Sequence, residues 1–329
     1  MRLTVIGGGS WGTAMANLMA GRGHDVHILM RDARAARVLE EAHENPRYLP
    51  GFALEKTLRA GVSAERALQG ARLCLLAVPA QHLREVLLSL ASWVPADATP
   101  VCLSKGIEQG TLAPMSTVVQ EAWPIQAGRY AILSGPSFAR EVLEGKPTAV
   151  VLGCADPVLA ASLREALSTP LFRVYSSPDV LGVELGGAMK NVMAIAAGIC
   201  DGLRLGHNAR AGLITRGLAE ISRLGQALGA NQATFMGLSG LGDLVLTCTG
   251  DLSRNRRVGL RLALGEDLSR ITAQLGTVAE GIETAGSICD LGERHAVDLP
   301  LARAVRTVLA GGSPVNLTRE LMARALRDE

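Results

Sequence analysis

The chain has 329 residues, 48% hydrophobic, with 33 basic against 31 acidic side chains and a net charge of +2. That length suits two domains, and the balanced charge, with no basic or acidic run, excludes a nucleic-acid backbone partner. The longest apolar runs, such as 192–200, fall short of the roughly 18–20 residues of a bilayer span, so no membrane insertion is expected.

The six cysteines are widely spaced, without C-x-x-C, and several lie inside apolar runs. They read as buried, reduced thiols of a cytoplasmic protein, and with a strand and then glycines at the start no secretory signal is expected. The histidines lack zinc-ligand spacing, so no metal is expected.

Residues 2–6 form a short β-branched run, followed by Gly7-Gly8-Gly9-Ser10-Trp11-Gly12 and a helical stretch to Gly21. Strand, G-x-G-x-x-G and helix stand in the order a dinucleotide site needs. Gly7 makes the turn, Gly9 admits a pyrophosphate to the helix N-terminus, and Gly12 lets helix and strand pack closely. The next strand, 25–30, ends in Arg31. An acidic residue at this place holds the ribose 2′-hydroxyl of NAD, whereas Arg31 suits a 2′-phosphate. With Asp32 adjacent, the expected cofactor is NADP(H), NAD(H) or both.

Alternation continues. Strands are expected at 73–78, 101–104, 130–133, 149–152 and 171–175, with helices at 32–43, 81–93 and 138–143. Ligands of an open α/β sheet sit beyond the carboxyl ends of its strands, where Gly9, Arg31, Pro79, Lys105 and Gly135 fall. Lys105 there is an anion ligand or a surface turn lysine. Ser137 is an anion ligand or, more commonly, the cap of the helix after it. Asn45-Pro46-Arg47-Tyr48-Leu49-Pro50-Gly51 is a rigid loop with no assigned purpose.

After Pro178 strand signals stop, and helices are expected at 180–202, 211–228, 244–248, 256–263, 267–275, 280–291, 301–310 and from 320 to the end. This change of class divides the chain into residues 1–178 and 179–329, the helix from Asp179 to Gly202 bridging the two. That helix carries Lys190-Asn191 in an almost wholly small and apolar setting. Only four basic residues, Lys56, Lys105, Lys146 and Lys190, are lysines, against 29 arginines. A lysine can release its proton near neutrality when its environment depresses its pKa, and an arginine cannot. Lys190 is therefore the candidate for proton transfer, the alternative being an amine that snorkels to water. Two loops interrupt the helices. In Gly237–Asp243 three glycines leave room for a ligand to come close to the backbone, and Asp243 is an ion partner of Lys190 or of a substrate hydroxyl, or a helix cap. Ser253-Arg254-Asn255-Arg256-Arg257 offers a fork for phosphate or a solvated helix start.

Gly7–Gly12, Ser134–Val142, Glu184–Asn191, Gly237–Thr249, Ser253–Gly259 and Val278–Glu283 together resemble the bacterial-type NAD(P)-dependent glycerol-3-phosphate dehydrogenases, in order, from residue 1 to about 320. The resemblance implies an α/β, doubly wound Rossmann-type N-terminal domain followed by an all-helical C-terminal substrate domain. It implies interconversion of sn-glycerol 3-phosphate and dihydroxyacetone phosphate, supplying glycerophospholipid synthesis, by a cytoplasmic homodimer. Residue by residue, Ser10, Trp11, Arg31, Lys105, Ala139, Arg254, Val278 and Glu280 fall to the cofactor. Lys105, Gly135, Ser137, Lys190, Asp243, Ser253, Arg254 and Asn255 fall to the substrate, and Lys190 matches the proton acceptor. Two rivals stand beside this reading: a related dehydrogenase of a 3-hydroxy acid, and a sensor that binds NADPH without chemistry.

Overall fold

The computed structural model describes residues 1–276 and 278–323. The chain forms two compact units, one of Met1–Lys105 with Ala113–Glu184, the other of Gly106–Leu112 with the residues from Leu185 onward. The helix Val180–Gly202 starts in the first unit and continues in the second.

The first unit is built on eight strands: β1 (Arg2–Ile6), β2 (Asp25–Leu29), β3 (Arg59–Gly61), β4 (Leu73–Leu76), β5 (Thr99–Cys102), β6 (Ala131–Ser134), β7 (Thr148–Gly153) and β8 (Phe172–Ser177). They lie in the order β3-β2-β1-β4-β5-β6-β7-β8, parallel throughout except where β7 runs antiparallel to β6. Every residue of β4, β5 and β6 is buried, as continuous apolar strands covered on both faces require. The chain leaves β1 towards β2 on one side and returns to β4 on the other. The crevice between the carboxyl ends of β1 and β4 is thus the switch point at which such sheets bind ligands.

Several expectations shift. β3 was not expected, since Arg-Ala-Gly carries no β-branched signal, and it pairs only at the edge with β2. The helices Ala64–Leu68, Met115–Ala122 and Pro157–Leu167 were not expected either. The last is nonetheless legible: Asp156 caps it, accepting from the N–H groups of Val158 and Leu159, with Pro157 at its first position. The expected helix 81–93 is a 3₁₀ turn at Ala80–His82 running into Leu83–Leu90.

From Leu185 onward the described part of the second unit is helical, with no strand. Its central helix, Val180–Gly202, is long and apolar enough to cross a membrane by length and composition, and 89% of its most apolar window is buried inside the protein. Its small residues explain how. A Cβ on Gly198 would run into the Arg256 carbonyl, and one on Gly259 into the Ile195 carbonyl. The helices Val180–Gly202 and Arg254–Ala263 therefore touch backbone to backbone. The C-terminal helix spans Pro314–Met322, earlier than expected, and residues 324–329 of that expectation lie outside the described residues. All six cysteines are buried free thiols.

Candidate active site

In the first unit the site begins at the turn after β1. Gly7 has φ +111°, its N–H donates to the Leu29 carbonyl at 2.9 Å, and a Cβ there would lie 2.5 Å from the Ala77 carbonyl oxygen, just past β4. Only glycine tolerates both the angle and the approach. A Cβ on Gly12 would collide with the Gly7 carbonyl, so helix and strand meet closely there. Around Gly9 the reverse holds: a Cβ would meet nothing within 4 Å. Gly9 caps the helix Ser10–Gly21, which has no side-chain cap and no acidic residue in its first turn. A tight turn, an open glycine and unscreened helix N–H groups fit the pyrophosphate of a dinucleotide. Ser10 and the Trp11 backbone lie in that first turn. The indole of Trp11 packs against Phe172, ring centroids 6.4 Å apart.

Arg31 is exposed beyond β2. Asp32 is drawn into the following helix, its Oδ1 accepting from the N–H of Arg34 at 2.9 Å and of Ala35 at 3.1 Å. These bonds, then the nearby Arg47 and Arg34 charges, hold its carboxyl below the usual range.

A second cluster in this unit forms around Gly135, where φ is +127° and a Cβ would come within 3.0 Å of Val150 Cα. Its carbonyl accepts from Lys105 Nζ at 3.2 Å and from Ser137 Oγ at 3.0 Å. Ser137 therefore does not cap the next helix: Phe138 stands at the cap position, without a side-chain bond, and Ala139 is the first helical residue.

In the second unit Lys190 is 8% exposed and Asp243 1%. Lys190 Nζ donates to Asp243 Oδ1 at 2.5 Å and to Thr247 Oγ1 at 3.0 Å. Asp243 is not a helix cap. It is the first residue of the helix Asp243–Thr249, whose cap position is Gly242. Nor is the stretch before it an open loop, since Leu238–Gly242 is a wound π turn. Its glycines serve packing rather than a ligand. A Cβ on Gly240 would strike the Phe235 carbonyl, and the Ser239 carbonyl sits 2.6 Å from where a Cβ on Gly186 would be. This contact sets Asp243 beside the lysine helix. Thr247 was not foreseen, although its spacing of four from Asp243 places both on one helix face.

Beside this pair Asn255 Nδ2 donates to Asn191 Oδ1 at 2.9 Å, and Asn255 Oδ1 accepts from the Gly281 N–H at 3.1 Å. Asn191 thus holds Asn255. Ser253 caps the helix Arg254–Ala263, accepting from Arg256 N–H at 3.2 Å, so the second expected loop is a helix start. Arg254 is exposed. Arg256 is committed elsewhere, bonded to Asp201 at 2.7 Å and Asp251 at 2.9 Å. Val278 is exposed, and Glu280 opens the helix Glu280–Arg294 next to Gly281. Among the described residues no group of three or more His, Cys, Asp or Glu is arranged to hold a metal.

A family model described as the NAD-dependent glycerol-3-phosphate dehydrogenase N-terminus matches residues 2–160, and that of the C-terminus matches residues 179–319. The chain belongs to the NAD-dependent glycerol-3-phosphate dehydrogenase family. It is 56% identical over 330 residues, covering 100% of both chains, to a glycerol-3-phosphate dehydrogenase (NAD(P)+) of Nitratidesulfovibrio vulgaris. It is 48% identical, again over 100% of both chains, to the enzyme of that name from an Anaeromyxobacter strain. The solved glycerol-3-phosphate dehydrogenase of Coxiella burnetii has 38% identity and a TM-score of 0.93 over 98% of each chain.

Proposed function

We propose that this chain is an NAD(P)-dependent glycerol-3-phosphate dehydrogenase, interconverting sn-glycerol 3-phosphate and dihydroxyacetone phosphate to supply glycerophospholipid synthesis. The observation that carries the site assignment is the buried Lys190–Asp243 pair in a chain of this family. When bound, the nicotinamide cofactor supplies or accepts the hydride at C2 of the substrate. The chain's own residues manage the proton. Lys190, paired as an ammonium, gives its proton to the carbonyl oxygen as the ketone is reduced, and takes it from the hydroxyl in the reverse direction. Asp243 offsets the cost of burying the amine, and Thr247 fixes its direction. Arg254 and Asn255 hold the phosphate, and this remote binding energy orients the reacting carbon. Ser253 supports them through its cap. Lys105, Gly135 and Ser137 are assigned to the substrate as well.

Gly7, Gly9, Ser10, Trp11 and Gly12 receive the dinucleotide, with Arg31 at its adenosine end and Ala139, Val278 and Glu280 as further contacts. In this reading residues 1–178 form the dinucleotide-binding domain and 179–329 the helical substrate and catalytic domain, each lending a few contacts to the other's ligand, and the enzyme works as a cytoplasmic homodimer.

Oxidation of NADPH and of NADH with dihydroxyacetone phosphate, run beside a panel of 2-keto and 3-keto acids, tests the reaction. Turnover with a keto acid but not with the phosphorylated ketone would overturn it. Light scattering on the purified protein tests the dimer.

A further inference from the structure

The proposed reaction leaves the segment 45–51 idle, yet it is fastened to the glycine turn. Asn45 is 5% exposed, and its Nδ2 donates to the Gly8 carbonyl at 3.0 Å and to Thr13 Oγ1 at 2.8 Å. Its own carbonyl accepts from the N–H of Leu49 at 2.8 Å and of Tyr48 at 3.2 Å, closing a tight turn. Ser10 Oγ donates to the Tyr48 carbonyl at 3.3 Å. Arg47 sits between these anchors, exposed, with its guanidinium over the Tyr48 ring, 5.2 Å from the centroid. Stacking on an aromatic face limits the conformations an exposed arginine must give up on binding.

The Asp32 carboxylate, which could otherwise hold a ribose 2′-hydroxyl, faces its own helix through Oδ1. Gly8, to whose carbonyl Asn45 is tied, packs against the side chain of Met30, the residue before Arg31, and the Arg47 charge acts on Asp32, the residue after it, so the 45–48 turn lies at the end of β2. Two exposed arginines suit a dianionic phosphate rather than a neutral sugar.

We infer that Arg47 is a specificity-determining residue, forming with Arg31 a two-armed clip for the 2′-phosphate of NADP(H), and that Asn45 is the positioning residue that holds the second arm. This rests on the reading of the first unit as the dinucleotide-binding one.

The test is direct binding of NADPH and NADH to the purified full-length protein, followed by nicotinamide fluorescence. Arg47→Ala is expected to weaken NADPH about tenfold, the size of one lost charge-assisted bond, and NADH less than about twofold. Arg47→Lys should restore part of the difference, as a point charge without the fork. Asn45→Ala should also lower the preference for NADPH over NADH, because Arg47 loses its fixed place. Equal weakening of both cofactors in Arg47→Ala, or no weakening of either, overturns the clip; the exposed position makes this variant safe for folding. Reduction of dihydroxyacetone phosphate is assayed separately on the same wild-type protein. NADPH bound in preference to NADH with no such turnover would sink the proposed reaction and leave the clip standing.

Discussion

Lys190 and Asp243 are 53 residues apart in sequence and 2.5 Å apart in space, with side chains 10% and 1% exposed. Removing one member of such a pair strands the other charge in a poorly solvated place, which costs far more than the pair contributes when intact.

Asp243→Asn keeps the shape and removes the charge. Turnover in dihydroxyacetone phosphate reduction is expected to fall about 10²-fold, and Lys190→Met should cost about 10²–10⁴-fold, the usual range for a lost general acid. NADPH affinity, measured by fluorescence, should stay within a few-fold in both. Turnover within a few-fold of wild type in Lys190→Met would move the proton transfer elsewhere.

Gly198→Ala places a methyl where the Arg256 carbonyl stands. Backbone cannot yield as a side-chain tip can, so the two helices must separate. We expect a loss of about 1–3 kcal/mol in denaturant unfolding, together with a raised KM for the phosphorylated substrate, because Asn255 is carried on the displaced helix. An unchanged unfolding midpoint would mean that the helices do not meet as described.

Arg254 and Asn255 adjoin in sequence but should respond differently. Arg254→Ala, at an exposed position, is expected to change stability by less than about 0.5 kcal/mol while raising KM for dihydroxyacetone phosphate. Asn255→Ala leaves Asn191 Oδ1 and the Gly281 N–H without their partner. Each buried orphan costs about 1–3 kcal/mol, so the melting temperature should fall by several degrees along with activity. Similar melting temperatures for the two variants would contradict the network.

Burial pushes two carboxyls up to about 7, Glu184 and Glu220. Glu220 accepts from the N–H groups of Leu301 at 2.7 Å and Ala302 at 3.2 Å, at the start of the helix Pro300–Leu309. A group whose pKa is raised on folding binds more protons folded than unfolded between its ordinary value of 4.5 and about 7. Stability contributed by these two groups is therefore greatest below that window and falls as pH rises through it, by on the order of 3 kcal/mol each. Thermal melts from pH 5 to 8 should show this slope, and Glu220→Gln should flatten it while lowering the acid-side plateau, since an amide cannot accept with both of its terminal atoms. A slope that Glu220→Gln leaves intact would remove the assignment.

Periodicity and punctuation settled much of this protein before any coordinates. The run 2–6 followed by Gly7, Gly9 and Gly12 specifies strand, turn and helix, because Gly7 answers a demand of backbone angle and Gly12 one of close approach. The long helix from Val180 was legible from its run of small and apolar residues without proline, and the structure buries 89% of its most apolar window inside the protein. What one stretch needs from a distant one was not legible. The glycines around Asp243 looked like room for a ligand, and they are room for Phe235 and for the lysine helix at Gly186. Arg256 looked like a phosphate fork and is held by Asp201 and Asp251. Asp243 resembled a helix cap and instead reaches a lysine 53 residues away. A polar side chain near a helix start has several partners open to it, and only the packing of remote backbones decides which of them arrives within 3 Å.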